Sequence, residues 1–311
     1  MALLIDVNLP EWMTDEDLRR DVLSILPGTD IRVYSNMGDP SDIEMLAVSQ
    51  LRPELASQLP NLKLIQKLGA GVETMVGNPD LPAHVRIARL KPDAPAREIA
   101  EFCLAYILRE QRNMRFHDKR QAECAWDSIA PRITPETVVG VLGLGHIGSR
   151  TANMIAGVGF KVIGYSRSPK YIEGIECRHG ADALLPMLAE CDYVASVLPS
   201  TPETRGLVNR EFLASMKEGA VLINVGRGDL VIEKDLLNSL DADHIGHAVL
   251  DVVSTEPLPA DSPLWVHPKI TITPHVSGWH IGDALKDVAE NYRRLKDGTP
   301  LLHEVSRARG Y

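Results

Sequence analysis

Three residues in the second half of the chain have the types and settings that carboxylate recognition and acid–base chemistry require: Arg227, Glu256 and His275. Arg227 stands in Val225-Gly-Arg-Gly-Asp229 after an apolar run, and a guanidinium is the side chain best suited to grip a carboxylate with two hydrogen bonds. Glu256 ends Asp251-Val-Val-Ser-Thr-Glu256, and His275 lies in Thr273-Pro-His-Val-Ser-Gly278, each again following an apolar run. A carboxylate beside an imidazole fixes its tautomer and favours the protonated ring, giving a proton donor useful near neutral pH. His267 and His280 lack such a setting and read as surface residues.

A second group could hold a dinucleotide. Gly143, Gly145 and Gly148, with Leu144, His146 and Ile147 between them, have the spacing G-x-G-x-x-G. The first glycine allows a tight turn, the second lets a pyrophosphate approach the backbone, and the third lets helix and strand pack closely. Free N–H groups at the helix start would face the phosphates. An acidic residue about 20 positions further on normally binds the ribose 2′-hydroxyl of NAD. Here that stretch reads Val162-Ile-Gly-Tyr-Ser-Arg-Ser-Pro-Lys170 and has no carboxylate. Ser166, Arg167 and Ser168 instead suit a 2′-phosphate, with Lys170 adding charge, so the expected cofactor is NADP (NADPH) rather than NAD.

These residues need strand ends to carry them, and the pattern supplies them. Thr137–Leu142 predicts a strand and Ser149–Val158 a helix, with further strands at Lys161–Tyr165, Tyr193–Leu198, Ala220–Asn224, His247–Leu250 and Ile270–Thr273. Earlier, Ala2–Val7, Ile31–Tyr34, Ile43–Val48 and Leu62–Leu68 read as strands, and Thr14 as the cap of a helix through Leu26. The alternation predicts an α/β protein of two Rossmann-like domains with doubly wound parallel sheets, which bind ligands outside the carboxyl ends of their strands. The expected division is 1–98 plus 286–311 for an outer, flavodoxin-like substrate domain and 99–285 for the dinucleotide-binding domain, with the active site in the cleft between them.

Gly69-Ala-Gly-Val72, after an apolar strand, reads either as a backbone cradle for a carboxylate or as a tight structural turn. Glu98–Arg109 is apolar almost all round, placing it at a domain or subunit junction. The charged segment Arg112–Arg132, with Trp126, reads either as an arm toward another subunit or as a solvated face.

The whole composition narrows the class. A length of 311 residues fits two domains, and a net charge of −9 offers no basic surface for nucleic acid or an anionic membrane. Cys103, Cys124, Cys177 and Cys191 form no C-x-x-C pair and no zinc-like cluster, so they are expected as buried thiols in a reducing compartment and no metal is expected. With neither a secretory leader nor a long apolar run, the expected location is the cytoplasm.

From Pro199 to Gly278 the ordered runs Leu-Pro-Ser-Thr-Pro-Glu-Thr-Arg-Gly-Leu, Met-Lys-Glu-Gly-Ala-Val-Leu-Ile-Asn-Val-Gly-Arg-Gly, Leu-Asp-Val-Val-Ser-Thr-Glu-Pro-Leu-Pro and Thr-Pro-His-Val-Ser-Gly resemble the D-isomer-specific 2-hydroxyacid dehydrogenases. The resemblance implies that Arg227 binds and polarises the substrate, that His275 transfers the proton and that Glu256 supports it. It implies cofactor contacts at Pro199, Thr204, Val225, Gly226, Arg227, Asp251, His275 and Gly278. Substrate contacts are implied at Ala70, Gly71, Val72, Arg227, His275 and Trp279, and the assembly as a homodimer. Within the family the chain looks like the NADPH-dependent glyoxylate/hydroxypyruvate reductase branch, acting on small 2-oxo acids. It departs from that branch at Ser49-Gln-Leu-Arg52, where a tryptophan is expected. Trp279 and Trp126 remain to line the pocket, and pyruvate or a branched oxo acid stays open as substrate. A formate-type dehydrogenase would carry glutamine in place of Glu256. A dinucleotide-sensing, corepressor-like scaffold with little turnover is the non-enzymatic alternative.

Overall fold

The computed structural model describes residues 1–9, 11–78, 81–91 and 93–307. The chain divides into two compact units, Met1–Ala94 with Trp279–Tyr311, and Pro95–Gly278. These boundaries precede the expected ones at 98/99 and 285/286; residues 308–311 of the expected outer domain lie outside the described residues.

The first unit is built on β1 (Ala2–Asp6), whose five residues are all buried. A strand covered on both faces must be apolar throughout rather than alternating, as this one is up to Asp6. β2 (Ile31–Val33), β3 (Ile43–Val48), β4 (Leu64–Lys67) and β5 (Arg86–Ala88) complete a parallel sheet of order β2-β1-β3-β4-β5, the doubly wound order of flavodoxin-like domains. β5 is absent from the sequence expectation because three residues give no readable period. Helix α1 (Asp15–Ile25) starts where expected: the Thr14 side chain accepts the Asp17 N–H, and three acidic residues fill the first turn. Leu18 and Val22 of α1 share an apolar cluster with Val288, Ala289 and Tyr292 of the C-terminal helix Leu285–Asp297. Asn291 fixes that helix to the sheet, donating to Gln66 Oε1 at 2.7 Å. The turn Gly69–Val72 leads from β4 into the one-turn helix α2 (Glu73–Val76).

Helix α3 (Asp93–Gln111), all but its first two residues in the second unit, starts five residues before the expected Glu98. Pro95 falls in its first turn, where a missing N–H costs nothing. α4 (Met114–Ala122) has no buried residue, and Trp126 after it is fully exposed. β6 (Val138–Leu142), β7 (Lys161–Ser166), β8 (Glu176–His179), β9 (Tyr193–Ser196), β10 (Ala220–Asn224), β11 (Ile245–Leu250) and β12 (Ile270–Ile272) form a parallel sheet. Its order is β12-β11-β10-β9-β6-β7-β8, so the winding reverses between β6 and β9 and opens a crevice at their carboxyl ends. Helices α5 (His146–Gly157), α6 (Leu184–Leu188), α7 (Arg210–Ser215) and α8 (Glu233–Asp241) alternate with these strands, and α9 is the C-terminal helix of the first unit. Among the described residues no helix is long and apolar enough to cross a membrane, and no three His, Cys, Asp or Glu side chains group as metal ligands.

The expectation of four buried thiols needs correction. Cys103 and Cys191 are buried, Cys177 is half-buried, and Cys124 is exposed. Cys124 follows α4, which contributes nothing to the core and therefore gives it no cover.

Candidate active site

The glycine turn separates three duties that the spacing only implied. Gly143 has φ +96°, a left-handed conformation that a side chain resists, and it lies against Val197 O at the end of β9. A Cβ on Gly148 would sit 1.7 Å from Gly143 O, so that position is closed by packing. A Cβ on Gly145 would meet nothing within 4 Å, so the turn is open to solvent on the side where a phosphate would approach. Helix α5 starts at His146, inside the motif rather than at the expected Ser149, and Gly145 caps it without a side chain. With no side chain capping it, the helix start can take an anion. Leu144 is a core residue beneath Gly164, so only its backbone can serve a ligand, whereas His146 is exposed and Ile147 half-buried.

At the end of β7, Ser166 is buried and its hydroxyl donates to Ser168 O at 2.8 Å. The hydroxyl thereby shapes the loop that presents exposed Arg167, Ser168 and Lys170. Pro199 and Thr204 meet in one loop, where Thr204 Oγ1 donates to Pro199 O at 2.6 Å and accepts the Thr201 N–H at 2.8 Å. Together with the open glycine, the helix start that no side chain caps and the exposed Arg167 and Lys170 after β7, these groups fit a dinucleotide carrying a 2′-phosphate.

Arg227 is held more tightly than an open turn would hold it. A Cβ on Gly226 would meet Leu198 O at 2.4 Å, and one on Gly228 would meet the Val253 carbonyl at 1.9 Å. Asn224 at the end of β10 closes the turn, donating to Arg227 O at 2.9 Å and accepting the Gly226 N–H at 3.2 Å. Val225 is buried beneath it. The backbone on both sides of Arg227 is thus fixed, and the half-buried side chain folds back so that Nη1 donates to Gly226 O at 2.6 Å.

His275 and Glu256 meet directly, with Nδ1 2.8 Å from Oε2. Oε1 of Glu256 accepts the Val253 N–H at 3.2 Å. Burial pushes the Glu256 carboxyl up, but the bond and charge of His275, the Val253 N–H and the Arg227 guanidinium outweigh it and hold the group below the usual carboxylate range. Glu256 is therefore an ionised acceptor at neutral pH, which keeps a proton on Nδ1.

Asp251 has a part that sequence reading did not find. It is buried at 1% exposure, and its carboxylate accepts from Thr273 Oγ1 at 2.6 Å, Val276 N–H at 2.9 Å and Ser277 N–H at 3.0 Å. Its carbonyl accepts the His275 N–H at 2.8 Å. His275 itself has φ 56°, a left-handed backbone uncommon for a residue with a side chain. One buried carboxylate thus folds the turn that aims the histidine. The signal was an acid at the end of an apolar strand, where ordinary core residues are expected. Gly278 closes this turn against α3, with Ile99 3.0 Å from where its Cβ would stand.

Every expected residue from Gly143 to Gly278 belongs to the second unit. Ala70, Gly71, Val72 and Trp279 belong to the first. There, Gly69 O accepts the Leu90 N–H at 3.0 Å and Ala70 O accepts from Arg89 at 3.2 Å, so the turn's carbonyls are engaged. The Trp279 carbonyl accepts from Trp12 Nε1 at 2.6 Å. Arg52, which stands in the segment lacking the expected tryptophan, is bound to buried Asp6 at 2.9 Å and lies over the Tyr34 ring.

The family model described as D-isomer specific 2-hydroxyacid dehydrogenase, NAD binding domain, matches residues 104–277. The chain belongs to the D-isomer specific 2-hydroxyacid dehydrogenase family. Among curated members, a glyoxylate/hydroxypyruvate reductase A of Serratia proteamaculans (strain 568) is 33% identical, covering 98% of this chain and 97% of its own. Among solved dehydrogenase structures, one from Xanthobacter autotrophicus Py2 in complex with NADPH and MES superposes with a TM-score of 0.94 at 39% identity, covering 100% of this chain and 99% of its own. An NADPH-dependent glyoxylate/hydroxypyruvate reductase from Sinorhizobium meliloti, in complex with NADP and sulfate, has a TM-score of 0.91 at 30% identity over 100% and 99% of the two chains.

Proposed function

We propose that this dehydrogenase uses NADPH to reduce small 2-oxo acids, glyoxylate and hydroxypyruvate first among them, to D-2-hydroxy acids. The observation that carries the reading is the 2.8 Å contact between His275 Nδ1 and Glu256, made in the same unit as the clamped Arg227 turn and the open glycine turn. The named activities and bound cofactors of the relatives support it.

Arg227 takes the substrate carboxylate and steadies charge that develops on the carbonyl oxygen, a service worth about 3–4 kcal/mol in comparable sites. His275 delivers its Nε2 proton to that oxygen while Nδ1 stays on Glu256, so the ring ends neutral in a single tautomer. Ala70, Gly71 and Val72 offer backbone N–H groups to the substrate, and Trp279 an apolar surface. Arg167, Ser168 and Lys170 bind the 2′-phosphate, which the loop-shaping bond of Ser166 supports. NADPH bound along the glycine turn supplies the hydride. We further propose a cytoplasmic homodimer, for which sedimentation should give twice 34.2 kDa.

Steady-state oxidation of NADPH and NADH with glyoxylate, hydroxypyruvate, pyruvate and a branched 2-oxo acid tests the reading. NADPH should win, and Arg227→Ala should lose about 10²-fold or more in kcat/KM. Preference for NADH would overturn the assignment of the loop after β7. Tight NADPH binding with no turnover across the panel would replace the enzyme with the scaffold.

A further inference from the structure

Glu233 lies outside every assigned site, in the first turn of α8, yet its Oε1 accepts both donors of Ser254: the N–H at 3.0 Å and the hydroxyl at 2.7 Å. Ser254 opens the short segment that ends at Glu256. That segment lies against the arginine turn and holds the histidine. Gly228, next to Arg227, is pressed on the Val253 carbonyl and the Ser254 nitrogen, and the far end of the segment holds His275 through Glu256. The Val253 N–H to Glu256 bond folds the segment back on itself at 3.2 Å. One acceptor on a helix therefore anchors the loop whose two ends meet the arginine turn and the histidine.

We infer that Glu233 is a positioning residue for the Glu256–His275 pair, acting through Ser254 rather than on substrate or cofactor. The inference rests on the reductase reading above. Within this unit, the charged groups facing the pair are Arg227, whose charge acts on Glu256, and Asp251, whose carboxylate is spent on Thr273 and the N–H groups of Val276 and Ser277. Neither replaces the anchor. When Ser254 is released, Glu256 no longer sits squarely on Nδ1, and the loss of that contact weakens the ring as an aimed proton donor, which the alkaline side of the pH profile reads.

The test is the pH profile of kcat for NADPH-dependent reduction of glyoxylate, with NADPH affinity measured alongside by fluorescence titration. In Glu233→Ala, kcat should fall about tenfold, and the pH of half-maximal activity on the alkaline limb should move down by about half a unit or more. NADPH affinity should stay within about twofold. Ser254→Ala, which leaves α8 untouched, should shift the same limb in the same direction. Glu233→Gln keeps an acceptor oxygen and should restore the wild-type profile. An unmoved limb in both alanine variants would overturn the inference, as would an equal shift in Glu233→Gln. A wild-type protein that turns over no 2-oxo acid would instead defeat the reductase reading, so the two failures are distinct.

Discussion

At the scale of single residues, the site depends on atoms with no room to move and on others with nothing near them. Gly148→Ala would place a methyl 1.7 Å from Gly143 O, against backbone that cannot yield without breaking the turn. Denaturant unfolding should show a loss of about 3 kcal/mol or more. Gly145→Ala meets nothing within 4 Å and should leave stability within about 0.5 kcal/mol while weakening NADPH binding severalfold. Equal losses of stability in the two variants would show that the glycines share one structural duty. The linkage at Glu256 has a definite sign: its folded carboxyl lies below the usual range, so its contribution is present above the unfolded value and is lost as pH falls through the folded one.

At the scale of elements, the chemistry sits on turns that leave the carboxyl ends of parallel strands, and buried acceptors determine their shape. Asp251→Asn keeps the size but turns one acceptor into a donor facing the Val276 or Ser277 N–H. We expect kcat to fall by about 10²-fold with secondary structure unchanged by circular dichroism; activity within twofold of wild type would deny Asp251 its part in the histidine turn. The long apolar strands were legible because burial on both faces leaves no polar position along their length, as in 220–223 of β10. The glycine motif, Arg227, Glu256 and His275 were legible because each follows such a strand. β8, Glu176–His179, was not, because an edge strand with no fully buried residue carries no apolar signal. The Glu256–His275 contact was inferred from strand order, but the roles of Asp251, Asn224 and Glu233 depend on backbone groups folding toward them, which residue identity does not encode. The start of α5 was placed late because the helix begins within the glycine turn.

At the scale of the whole molecule, two α/β units divide the expected contacts, and the second holds the triad and the cofactor turn. Thiol reactivity offers a check on its packing. Burial pushes the Cys103 and Cys191 thiols up to about 12, whereas Cys124 is exposed. Alkylation of the native protein at neutral pH should label Cys124 first, with Cys103 and Cys191 reacting only after unfolding; early labelling of Cys103 would show that α3 is not seated on the sheet. The central claim is that His275, oriented by Glu256, supplies the proton that completes reduction of a 2-oxo acid. Its most direct test is the rate of NADPH oxidation with glyoxylate in His275→Gln, with NADPH binding followed by fluorescence. The rate should fall by about 10²- to 10⁴-fold while the cofactor still binds. A rate close to that of the wild type, with binding intact, would contradict the account.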